Sequence, residues 1–214
     1  MTEIRALFCE AVDAATPLLA EPALVERFEK PSALAEFSVR GLAGHLLRAM
    51  TTAETYLDGP EPDAAAPAIS AAAYYAGVAA APADLDDPFH QAIRQRGLEA
   101  APEAPEELPG IWAATMARFR ARLDAEPAGR RVRVYGDMVL TLDEYLVTRL
   151  IELAVHADDL AVSLDVAPPA LPPAATGVVI VTLVEVARIR HGDAAVVRAL
   201  TRRERDAVEA LRVL

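Results

Sequence analysis

Cysteine is nearly missing from this chain. Cys9 stands alone among 214 residues, so no intramolecular disulfide can form and no thiolate cluster can build a closed structural zinc site. No basic residue or histidine flanks it, and a buried apolar thiol is expected there rather than a nucleophile. Long apolar runs are missing too. The longest, Ala174–Val184, contains Thr176, Gly177 and Thr182 and falls far short of the ~20 residues that cross a bilayer, so no membrane partner is expected. Glu3, Glu10 and Asp13 interrupt the stretch where a secretory signal would be apolar, and a cytoplasmic protein is expected. Positive charge is scarce: 21 Lys and Arg face 32 Asp and Glu, a net charge of −11 that repels phosphate backbones. No nucleic-acid partner is expected.

What is present favours helices. Alanine occurs 46 times, only eleven residues are aromatic, and 53% of the chain is hydrophobic, enough to bury a core without staples. Proline punctuates the chain, because its ring blocks helix interiors, and eight of the 16 prolines fall between Pro60 and Pro109. Outside that crossover, apolar periodicity predicts a helix over Met1–Ala20 perturbed at Pro17, a short one at Leu24–Lys30, and a long one over Val39–Leu57 behind an N-cap at Ser38. Short pieces are expected at Ala68–Ala80 and Pro88–Ala100, then a helix over Pro109–Ala125. Arg131–Thr141 alternates around Gly136 and Asp137, as in a small hairpin with a two-residue turn. Thr141 and Glu144 form a capping-box pattern that starts a helix at Leu142 running to Val166. Two more helices, Ala174–Arg190 and Ala194–Leu214, follow a proline-rich break, and the charged run Arg202–Asp206 reads as a solvated face. The expected architecture is all-α: a four-helix bundle with a long crossover over residues 1–166, and a helical extension over 167–214 packed on it as one domain.

The chemistry concentrates on the Leu142–Val166 helix. On a helical wheel, Tyr145, Thr148, Arg149, Glu152, His156, Asp159 and Ser163 form a polar stripe bordered by apolar residues on both sides. Asp143 and Asp158 lie on the reverse side, where solvent is expected, so the stripe is predicted to face inward. Polar groups buried in this way need partners. Glu152 and His156 are one turn apart, close enough to grip one metal ion or simply to hydrogen-bond each other. His45, flanked on its own helix face by Gly41 and Ala49, has room beside it for an ion or a ligand. Alone, it reads as a hydrogen-bonded core residue; joined to the stripe, it completes a His45, Glu152 and His156 set. Two nitrogens and one carboxylate suit zinc in an open site, or nickel or iron(II). Asp159 either orients a ligand and receives a proton or is a surface acid paired with an arginine. The paired Glu-x-x-His of di-iron bundles, the His-Glu-x-x-His of metalloproteases, phosphate loops and nucleophile elbows do not occur. His90 and His191 read as surface or capping residues.

Two segments, Phe37–Leu46 (FSVRGLAGHL) and Ile151–Ala161 (IELAVHADDLA), resemble the mycothiol-dependent maleylpyruvate isomerase N-terminal family of the DinB-like superfamily. Phe37 stands where that family often has tryptophan, and Gly41 where it often has an acid. The resemblance implies a DinB-like bundle with the metal on His45, Glu152 and His156, and Asp159 in the thiol site. It also implies mycothiol or another small thiol as co-reactant, with Tyr145 and Arg149 beside it, a small-molecule substrate and a homodimer as candidate assembly. The function expected is a metal-dependent isomerase or S-transferase acting through that thiol. The alternatives are a non-catalytic metal-binding bundle with a regulatory role, and a metal-dependent hydrolase.

Overall fold

In the computed structural model, which describes residues 1–78, 86–202, 204, 211 and 213, nine helices and one two-stranded hairpin are seen among the described residues. α1 (Glu3–Ala15) begins behind Thr2, whose hydroxyl accepts from the Arg5 amide, and passes into a 3-10 turn at Thr16–Ala20 where Pro17 removes an amide. α2 (Pro22–Arg27) starts with proline in its first turn, two residues ahead of the expected start. α3 (Val39–Asp58) is capped by Ser38, which accepts from the Gly41 amide. The crossover carries α4 (Ala71–Val78) and α5 (Pro88–Ala100), so it is more helical than linker-like. α6 (Leu108–Ala125) follows.

β1 (Arg131–Arg133) and β2 (Val139–Thr141) pair antiparallel, Val132 opposite Leu140. The turn between them is longer than the expected two residues. Val134–Met138 bulges out because Gly136 and Asp137 both take positive φ, 70° and 60°. α7 (Leu142–Leu164) starts where the capping pattern places it, with Thr141 Oγ1 accepting from the Glu144 amide. Glu144 does not complete the reciprocal box. Its carboxylate accepts instead from the Ala71 amide at 2.7 Å, the first residue of α4, and so ties the crossover to α7. α7 ends at Asp165 in the left-handed conformation. α8 (Pro173–His191) and α9 (Asp193–Thr201) complete the described helices; the charged run expected as a solvated face lies largely outside the described residues.

α1, α3, α6 and α7 form the bundle, with α7 packed on both α1 and α3. Phe8, Leu42, Met50, Phe119, Leu146 and Leu153 are completely buried between them, and Phe8 meets Phe119 edge to face. Cys9 is buried, as expected, and burial pushes its thiol above the ordinary value. Arg5 is the charged group deepest in the core, 1% exposed. It donates to Asp143 at 3.0 Å and to the carbonyls of Leu123, Glu126 and Pro127 around the end of α6. Asp143 is therefore an anchor and not a solvent-facing acid. α8 lies against α1, α4 and α7. Among the described residues no helix is long and apolar enough to cross a membrane.

Candidate metal centre

The polar stripe of α7 faces inward, as its helical spacing predicts. Tyr145 and Thr148 are buried, Arg149, Glu152 and His156 are nearly so, and Asp158 on the reverse side is exposed. Opposite the stripe, α3 presents His45. The packing of α3 on α7 brings together residues 107 positions apart: His45 Nε2 is 3.3 Å from Glu152 Oε2, and His156 Nε2 is 3.4 Å from the same oxygen. The two imidazoles stand edge to face with centroids 4.6 Å apart. One candidate ligand atom from each of the three residues can be chosen so that all lie within 4.8 Å of one another.

These separations fit a shared ion. Ligand atoms held about 2.0–2.2 Å from a tetrahedral metal lie about 3.3–3.6 Å from each other. The donor set, two imidazole nitrogens and one carboxylate, is that of an open rather than a closed site. His45 Nδ1 is buried without a hydrogen-bond partner, so the polar contact of that ring runs through Nε2. His156 Nδ1 lies 3.0 Å from Asp159 Oδ2, which fixes the ring so that Nε2 points at Glu152. Asp159 thus stands behind His156 and borders a separate hollow with Pro168 and Leu171; the surface arginine pair considered from sequence is not seen among the described residues.

The charges around Glu152 are arranged to keep it ionised. Burial pushes its carboxyl up, but Arg149 and the hydrogen bonds of His156 and His45 reverse this and hold it well below the ordinary range. For His156, burial works against the charged form, yet Asp159 and Glu152 raise it to about 9 in the metal-free chain. Burial dominates at His45 and lowers its pKa.

A residue that sequence reasoning did not single out completes the site. Tyr75, on α4, donates to Glu152 Oε1 at 2.6 Å and stands 3.1 Å from the Thr148 carbonyl oxygen. It holds the carboxylate oxygen that does not face the histidines. In sequence it sits inside an alanine-rich crossover with no spacing relation to α7. Arg149 stacks on Tyr145, 4.9 Å from the ring centroid, and donates to Thr148 Oγ1. Both line a cavity of about 820 Å³ that opens beside His45 and Glu152. Phe37 packs edge-on against His45.

The room expected beside His45 is used differently than the small residues suggested. A Cβ on Gly44 would stand 2.0 Å from the Gly97 carbonyl oxygen, and one on Gly97 would stand 2.6 Å from that of Gly41. The glycines admit the backbone of α5 against α3, and the open space lies further along, toward Arg48 and Tyr56. His90 and His191 lie apart from the triad, at the start of α5 and the exposed end of α8.

The sequence model of the family described as Mycothiol maleylpyruvate isomerase N-terminal domain matches residues 8–161, a span that contains both resembling segments and all three triad residues. No curated protein and no solved structure matches the chain.

Proposed function

We propose that this chain, which belongs to the mycothiol maleylpyruvate isomerase N-terminal domain family, is a metal-dependent enzyme that brings a low-molecular-weight thiol to a small electrophile, for isomerisation or S-transfer. The observation that carries this reading is the convergence of His45, Glu152 and His156, the first two of which line a cavity large enough for small molecules. A divalent cation such as zinc, nickel or iron(II) on these residues would act as a Lewis acid and lower the pKa of a thiol bound at an open position.

The chain's own residues supply the rest. Asp159 holds the His156 ring in the tautomer that leaves Nε2 free to ligate. Tyr75 and Arg149 keep Glu152 charged and oriented. Tyr145, nearly inaccessible to solvent and edge to face with Tyr56, forms the apolar floor that excludes water from the thiol side. Metal content and affinity for mycothiol, measured on wild type and His156→Ala, test the reading. Loss of both in the variant is expected, and unchanged binding of both would overturn it. Turnover of ester substrates with no thiol added would instead favour the hydrolase.

A further inference from the structure

The cavity beside the triad is basic, although the chain as a whole carries a net charge of −11. Arg48 of α3, Arg96 of α5 and Arg149 of α7 all line it. Glu152 is the acid of the lining, and it is engaged with Arg149, Tyr75 and the two histidines. Among the described residues neither Arg48 nor Arg96 has a carboxylate partner. Elsewhere Arg118 pairs with Glu54, Arg120 with Asp13 and Arg130 with Glu61, while Arg27 and Arg131 donate to backbone carbonyl oxygens.

This concentration of like charge is built by the fold. The glycine contact between α3 and α5 sets Gly97 against Gly44, and Arg96, the residue before Gly97, therefore arrives beside the α3 face that carries Arg48 one turn below. Arg48 is half-buried, and burial together with Arg96 and Arg149 works against its charge. Three guanidinium groups along one cavity wall make its local potential positive, which favours an anionic occupant. Thr51, Thr52 and Thr55 add hydroxyls on the same side, and Thr52 Oγ1 is buried without a partner. Phe89, Ile93 and Tyr74 supply apolar surface for a carbon skeleton.

We infer that Arg48 and Arg96 form a subsite for an organic dianion, a dicarboxylate or a phosphate monoester, held in the same cavity that His45 and Glu152 border. Two unpaired guanidinium groups match two negative charges, and their planar donor forks suit either oxyanion. The subsite names the ligand class of the proposed enzyme and rests on that reading only for its role in turnover; the binding itself stands on the arginines.

Calorimetric titration of metal-loaded and chelator-treated protein with phthalate, phenyl phosphate and the neutral benzamide tests it. Both protein forms are expected to bind a dianion at least tenfold more tightly than benzamide, and the tighter of the two dianions identifies the oxyanion. Arg48→Gln and Arg96→Gln should each weaken that binding about tenfold with metal content unchanged, while Arg118→Gln, paired outside the cavity, should not. Arg96 is exposed on α5, so its variant keeps the test available if Arg48→Gln fails to fold. Equal binding of phthalate, phenyl phosphate and benzamide, or arginine variants that bind as wild type does, would overturn the inference and leave the metal reading intact. Arginine-dependent binding in a protein that takes up no metal would do the reverse.

Discussion

At the residue scale, the two carboxylate oxygens of Glu152 face different partners. Oε2 faces both histidines and Oε1 receives the Tyr75 hydroxyl. Removing that hydroxyl leaves a phenyl ring of nearly the same shape, so Tyr75→Phe should stay folded at a cost of about 1.5–3 kcal/mol for the lost hydrogen bond, while metal affinity falls about ten- to a hundredfold, as for other groups that orient a ligand. Competition with a chromogenic chelator checks this; unchanged affinity would reduce Tyr75 to a packing role. Glu152 and His156 were legible in the sequence because one helical turn relates them, and His45 because it stands mid-helix with Gly41 and Ala49 on its own face, in a segment that also resembles the family. Tyr75 was not, since its relation to Glu152 exists only after the crossover folds back across α7.

At the scale of elements, the caps and breaks were the most readable features. Ser38, Thr141 and Pro88 stand at helix starts because each satisfies or removes an orphan amide, which is local chemistry. The pairing of helices was not readable in this way. Gly44 and Gly97 look like poor helix formers in sequence, yet they are the contact that lets α5 lie on α3. Gly44→Ala drives a methyl group into backbone and should destabilise the fold by about 1–3 kcal/mol or more, seen as a lower urea midpoint. Gly177 is the contrasting case. Nothing lies within 4 Å of its Cβ position inside α8, so Gly177→Ala should stabilise by about 0.5–1 kcal/mol through helix propensity alone. A Gly44→Ala variant as stable as wild type would contradict the close crossing.

On the scale of the whole molecule, His45 and Glu152, 107 positions apart in the chain, join two helices. An ion bound there ties α3 to α7, and binding to the folded state alone raises stability by mass action. Chelator treatment should therefore lower the melting temperature of the metal-loaded protein, and readdition of metal should restore it. Acidification should weaken metal binding, because imidazole must lose its proton to ligate, and proton release on binding at neutral pH is measurable in weakly buffered solution. A melting temperature indifferent to chelator would contradict a metal bound between the two helices. The bulk charge, read from composition, could not reveal the basic interior, because Arg48, Arg96 and Arg149 come from three separate helices.

Arg5 shows that the stretch recognisable by ancestry is shorter than the stretch that coheres. It lies before residue 8, where the family match begins, yet it closes the end of α6 and grips Asp143 at the head of α7. Cutting the polypeptide at the borders drawn by common descent would discard this clasp at one end and the α8 cover of the bundle at the other. Inheritance and cohesion thus trace different outlines on the same polymer.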